Sequence, residues 1–239
     1  MIRQMENSYN PRNEKLDVWE LIENGNFEEA AFQADIEFQD TQSVLSLRNK
    51  LYALFLMGKY FACQELSNKI IEIRKGETDS DFSFLGIAYW LLSREKEAIA
   101  AWKMGEKSKY TDAAGGVELQ IFLFFAAVKT SDQKMKITVV KRIKRLIGLK
   151  KAFGYPAILG AYLLGEVNKI DLLSSVSNVD ILRERQLCQI GFVFAIKDLE
   201  MNNIELYNDN LKTSISYGSK SYLEQMYYLA KGELDKIKQ

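Results

Sequence analysis

The stretch DFSFLGIAYWLLSREKEAIAAW (Asp81–Trp102) decides how the rest of the chain is read. Phe82, Leu85 and Tyr89 recur at intervals of three and four, the period of one face of a helix, and Ala98 and Trp102 repeat the interval further on. The two faces belong together as a helical hairpin. Gly86 and Ala98 carry little or no side chain, so the two backbones can lie close, and a larger residue at either place would hold them apart. Phe82, Leu85, Tyr89 and Trp102 then fill the wedge between this hairpin and the next.

One hairpin does not fix a fold, but the pattern recurs upstream. LYALFLMGKYFACQELSNKI (Leu51–Ile70) has Gly58, Tyr60 and the small Cys63, and LDVWELIENGNFEEAAF (Leu16–Phe32) has Gly25, Phe27 and Ala30 in the same order. Ala30, Cys63 and Ala98 are spaced by 33 and 35 residues. The fullest unit resembles the tetratricopeptide pattern, aromatic-x2-Leu-Gly-x2-Tyr followed by Ala-x3-aromatic, whose period is about 34 residues. The first two units lack the Leu-Gly pair, and Tyr110 stands where the family carries its proline. The resemblance implies antiparallel helix pairs stacked in a right-handed superhelix.

Composition agrees with an all-α chain. The 239 residues are 47% apolar and 27% charged, and only two prolines, Pro11 and Pro156, interrupt them. The chain contains no histidine, which removes the commonest general base, the usual zinc ligand and every Ser-His or Cys-His nucleophile pair. The segment Ala113–Gly116 has neither the lysine nor the spacing of a phosphate loop. A non-enzymatic protein with no catalytic residue, cofactor or metal is expected. Cys63 and Cys188 lie far apart in helical surroundings and read as buried reduced thiols. The first twenty residues lack the apolar core of a signal peptide, and the longest apolar run, Leu119–Val128, is too short to span a bilayer. These features predict a cytoplasmic protein with a helix at 118–128 buried on most sides.

No Pro-, Gly- or Ser-rich linker divides the chain, so 1–239 reads as one helical-repeat domain. Clearer repeats occupy 13–112, and degenerate repeats with a capping helix occupy 113–239. After Trp102 the period blurs. KMKITVVKRIKRLIGLKK (134–151) is a basic amphipathic helix, with Val139, Val140, Ile143, Leu146 and Ile147 on one side and Lys141, Arg142, Lys144 and Arg145 on the other. Tyr155-Pro156 marks a turn into a short helix. The segments 184–203 and 204–218 form a worn repeat, and YLEQMYYLAKGEL (222–234) is expected to cap the outer face of the last unit.

Repeat arrays bind through first-helix positions facing the concave side. Here these are Trp19, Ile22 and Glu23, then Tyr52, Phe55 and Leu56, then Ser83, Ile87 and Trp90. Either they line an exposed wall for a partner, or later helices curl back and bury them. Charge is also uneven. From Glu14 to Asp40 there are nine acidic residues and one lysine; from Lys134 to Lys151 there are eight basic residues and no acid. Each is either a solvated helix face or a steering surface for an oppositely charged partner. Zero net charge and the absence of aromatics among the lysines argue against nucleic acid.

AWKMGEKSKYTDAAGGVELQIFLFFAAV (Ala101–Val128), with ERQLCQIGFVFAIKDL and EQMYYLAKGEL further on, resembles the tetratricopeptide-like immunity proteins of bacterial contact-dependent toxin systems. The resemblance implies a helical protein that binds and neutralises one cognate toxin domain, with no membrane or small-molecule partner. A general repeat adaptor holding a peptide in its concave groove is the alternative. On the immunity reading, charge reversal at Glu20 and Glu23 is expected to weaken binding more than reversal at Arg142 and Arg145.

Overall fold

A computed structural model describes residues 16–148 and 154–237. Pro11, Glu14, Lys150 and Lys151, named above, lie outside them. The described residues form thirteen α-helices, a short 3-10 segment at Ser219–Leu223, and no named strand. In order the helices are α1 Val18–Glu23, α2 Phe27–Thr41, α3 Val44–Leu56, α4 Tyr60–Ile73, α5 Asp79–Leu91, α6 Glu95–Gly105, α7 Val117–Lys129, α8 Gln133–Gly148, α9 Ala157–Leu163, α10 Lys169–Ser174, α11 Asp180–Glu200, α12 Ile204–Ser214 and α13 Gln225–Ile237. Each of the first twelve packs on the next or on its near neighbours.

One turn generates this order. After α1 the Asn26 N–H donates to the Leu21 carbonyl at 2.9 Å and the Gly25 N–H to the Ile22 carbonyl at 3.1 Å, with Gly25 at φ 79°. This is a Schellman closure, in which a left-handed residue lets the chain satisfy the last helical carbonyls and reverse. The same six-to-one bond joins Lys59 to Leu54, Arg94 to Tyr89, Asp132 to Ala127, Glu166 to Ala161 and Asn203 to Asp198. It therefore closes six hairpins, from α1/α2 to α11/α12. The repeat does not stop at Trp102. It continues in the backbone after its side-chain signature is gone: the left-handed position is Gly25, Gly58 and Gly165 in three of these turns and Ser93, Ser131 and Asn202 in the others. A residue with a Cβ pays about 1–2 kcal/mol there, while glycine pays about 0.5–1 in entropy. Ser131→Gly is thus expected to raise stability by up to about 1 kcal/mol, and a fall in urea midpoint would contradict the turn.

Within the hairpins, small residues sit where helices touch. A Cβ on Gly86 would lie 2.2 Å from Trp102 Nε1, and one on Gly191 would lie 2.8 Å from the Ser214 backbone. Cys63 and Cys188 are free and buried, and burial pushes both thiols far up. Helix α7 is buried on nearly all sides, as its apolar run requires. α11, the longest helix at 21 residues, carries several charges, and no described helix is long and apolar enough to cross a membrane.

The C-terminal helix departs most from expectation. α13 packs on α11 and α12, as a cap would, but it also lies against α5. Its apolar residues are not confined to one stripe: Met226, Tyr227, Tyr228, Leu229, Ala230 and Leu234 are all buried. A helix apolar on most sides must be covered on most sides, and α3 and α5 provide the cover. The Tyr228 ring lies 4.9 Å from Phe55, 6.3 Å from Tyr52 and 6.4 Å from Phe84. Gly232 meets Leu91 so closely that a Cβ there would lie 1.9 Å from Leu91 Cδ2.

Candidate binding groove

The packing of α13 settles where the expected wall residues lie. Ile22, Tyr52, Phe55, Ser83, Ile87 and Trp90 are all buried within the chain, and Leu56 is half-buried. Trp90 Nε1–H donates to Glu233 Oε1 at 2.9 Å, and Ser83 spends its carbonyl on Trp102 Nε1–H at 3.2 Å. They form the interior of the molecule in place of the exposed wall considered above, and the later helix α13 covers Tyr52, Phe55 and Trp90 among them.

Trp19, Glu20 and Glu23 keep some exposure on α1. Glu20 closes a capping box with Asp17, whose Oδ1 accepts from the Glu20 N–H at 2.7 Å. Glu23 accepts from Trp19 Nε1–H at 3.0 Å and from Lys220, and so ties α1 to the 3-10 segment near the chain's end. Lys220 is the largest influence on Glu23 and holds its carboxyl below the usual value. Asp35 is paired with Lys50 at 2.6 Å. Much of the acidic end is thus engaged inside the fold.

The basic helix is placed differently. α8 buries Met135, Val139, Ile143 and Ile147, four residues apart along one stripe. Gly160 of α9 admits this stripe, since a Cβ there would lie 2.9 Å from Ile143 Cγ2. The loop between α6 and α7 sets the other side of the groove. Asp112 accepts the N–H groups of Ala114, Gly116 and Glu118 at 2.7, 3.0 and 2.8 Å, which fixes the start of α7. Gly105 lets α6 approach, with Leu119 Cδ1 at 2.9 Å from a notional Cβ.

Between α6, α7 and α8 lies a groove of about 700 Å³. Lys103 of α6 and Lys107, in the turn just past it, face Lys134, Lys141, Arg142 and Arg145 of α8, with Met104 at the mouth and a floor that includes Leu123, Met135 and Val139. None of these six cations makes an ion pair among the described residues. The acids at the groove, Glu106 and Asp132, are otherwise engaged: Glu106 accepts from Gln120 Nε2–H at 2.7 Å, and Asp132 caps α8 through the Met135 N–H at 2.8 Å. Sequence reasoning found the α8 rim and missed the α6 rim. No helical stripe marks Lys103 and Lys107 as a pair, because α6 ends at Gly105 and Lys107 lies in the turn beyond it.

A second polar cluster is smaller. Glu224, on the short link into α13, pairs with Arg185 at 2.5 Å, and Gln189 Nε2–H donates to Glu224 at 2.5 Å and to Glu118 at 3.1 Å. Burial pushes both carboxyls up, and for Glu118 the neighbouring Glu224 charge adds to the push. The arrangement fastens α7, α11 and the approach to α13.

Nearby, Asp79 accepts the Asp112 N–H at 3.1 Å. Burial is the largest influence on Asp79 and pushes its carboxyl up to about 6, outweighing that hydrogen bond. A folded pKa above the unfolded one stabilises below the unfolded value, and the contribution is lost as pH rises through about 6. Asp79→Asn is therefore expected to match the wild type near pH 4 and to exceed it at pH 7.5 by up to about 3 kcal/mol. Calorimetry at both pH values checks this, and an offset independent of pH would contradict it.

No family model, curated protein or solved structure matches the chain.

Proposed function

We propose that this chain is a non-catalytic binding protein that neutralises a cognate toxin domain by direct contact, with tetratricopeptide-like hairpins as its scaffold. The observation that carries this reading is the groove between α6 and α8, where six cations without an ion pair among the described residues rim an apolar floor. Charges left unpaired on a fold that engages so many others suit a surface kept for a partner. The resemblance of Ala101–Val128 to immunity proteins covers α7 and the α6 rim of the same groove. The adaptor alternative needs an open inner wall, and α13 occupies that wall.

On this reading the relevant reversal is at the groove. Glu23 already serves Trp19 and Lys220, so changing it would disturb the fold before any partner. The functional test is growth rescue. Cells producing the toxin domain encoded beside this gene should survive when the full chain is co-expressed, and continued killing would defeat the neutralisation reading.

A further inference from the structure

The groove is specific enough to say what class of segment it takes. Its rims are separate elements, with Lys103 of α6 and Lys107 of the following turn on one side and Lys134, Lys141 and Arg145 of α8 on the other, all exposed. Between them Met104 is 56% exposed, a large apolar side chain standing at the mouth of a basic cleft. Two flexible methionines, Met104 and Met135, contribute to the lining, and methionine surfaces adapt to varied apolar side chains. The lining residues of α8 run from Lys134 to Arg145, a rim roughly 16 Å long and enough for about three turns of a third helix, while the facing rim is the shorter stretch from Lys103 to Lys107.

Other anions fit less well. A single-stranded nucleic acid wants aromatic platforms for its bases, and no aromatic residue lines the groove. An anionic bilayer wants the apolar face of a basic helix, yet α8 turns Met135, Val139, Ile143 and Ile147 into the core. A ligand offering carboxylates on two sides and an apolar ridge between them matches both rims and floor.

We propose that the α6–α8 groove is a docking site for an acidic amphipathic helix of a protein partner. The partner's carboxylates lie against the lysine and arginine rims, and its apolar ridge covers Met104 and the floor. This rests on the reading above that the partner is a protein, and it names which kind of segment makes the contact.

The test uses the full chain and a fluorescein-labelled peptide of about 18 residues, with glutamates flanking a leucine stripe at helical spacing. Fluorescence anisotropy is expected to give a Kd in roughly the micromolar range, at least about tenfold tighter than for polyglutamate of equal charge. Lys141→Glu and Arg145→Glu should each weaken binding about tenfold. Lys144→Glu, the same charge change on the same helix but off the groove, should weaken it less than about twofold. Met104→Glu should remove the preference over polyglutamate. The proposal is overturned by absent peptide binding, by equal losses at Lys141 and Lys144, or by tighter binding of polyphosphate or single-stranded RNA. It is also overturned if sedimentation shows a self-association that Arg145→Glu abolishes, which would make the occupant a second copy. Rescue of growth without peptide binding would defeat the docking proposal alone, and peptide binding without rescue would defeat neutralisation alone.

Discussion

Glu233→Ala is expected to destabilise the protein by about 3–5 kcal/mol, the cost of breaking a buried charge network by removing one partner. Glu233 is 3% exposed, and its two oxygens receive Trp90 Nε1–H at 2.9 Å, Tyr207 O–H at 2.9 Å and the Lys129 ammonium at 2.6 Å. It joins α5, α7 and α12 to α13. Lys129 keeps part of its surface in water and can rehydrate, so the loss falls mainly on Trp90 and Tyr207, whose donors would be left buried. Each such donor costs about 1–3 kcal/mol. Burial pushes the Glu233 carboxyl up, but Lys129 and the hydrogen bonds outweigh it and hold the group below its ordinary value. A depressed folded pKa stabilises above the unfolded value and is lost as pH falls through the folded one. Glu233 therefore contributes to acid unfolding, the opposite sign to Asp79. Urea denaturation of Glu233→Ala checks the magnitude, and a change below about 1 kcal/mol would mean that α13 does not close the inner wall.

Gly86→Ala should be nearly as damaging, although it adds only one methyl group. The new Cβ would stand 2.2 Å from Trp102 Nε1 and 2.5 Å from Trp102 Cδ1. The indole cannot swing away cheaply. Its N–H donates to the Ser83 carbonyl, and its ring stacks with Trp90 at 5.9 Å and Phe122 at 5.7 Å. The two helices must part, with an overpacking cost of about 1–3 kcal/mol. For a chain of this size that lowers Tm by roughly 3–10 °C. An unchanged Tm would show that α5 and α6 are not held at this distance by Gly86.

The two variants also show what the sequence could and could not reveal. Gly86 and Trp102 were legible because a hairpin brings close neighbours in sequence together, and their spacing follows the helical period. The turns at Gly25 and Gly58 were legible for the same reason. The turns at Ser131 and Asn202 were not, because a serine or asparagine in the left-handed region leaves no glycine to mark it. The position of α13 was illegible for a different reason. Tyr228 meets Tyr52, Phe55 and Phe84 across more than 140 residues of chain, and no local period encodes which distant face a helix apolar on most sides will cover. So the aromatic residues expected on a binding wall became core. The basic rim of α8 could be read from Lys141–Arg145, whereas the facing rim of α6 depended on the Asp112-capped loop that brings Lys103 and Lys107 opposite.

The central claim is that the groove, and not the acidic end, receives the partner. The most direct measurement is a calorimetric titration of the acidic amphipathic peptide described above, standing in for the proposed partner, into three forms of the full chain. Wild type should bind. Lys141→Glu combined with Arg145→Glu should bind at least about a hundredfold more weakly. Glu28→Lys combined with Glu29→Lys, on the exposed face of α2, should stay within about threefold of wild type. Undiminished binding by the groove variant, with loss confined to the α2 variant, would contradict the account.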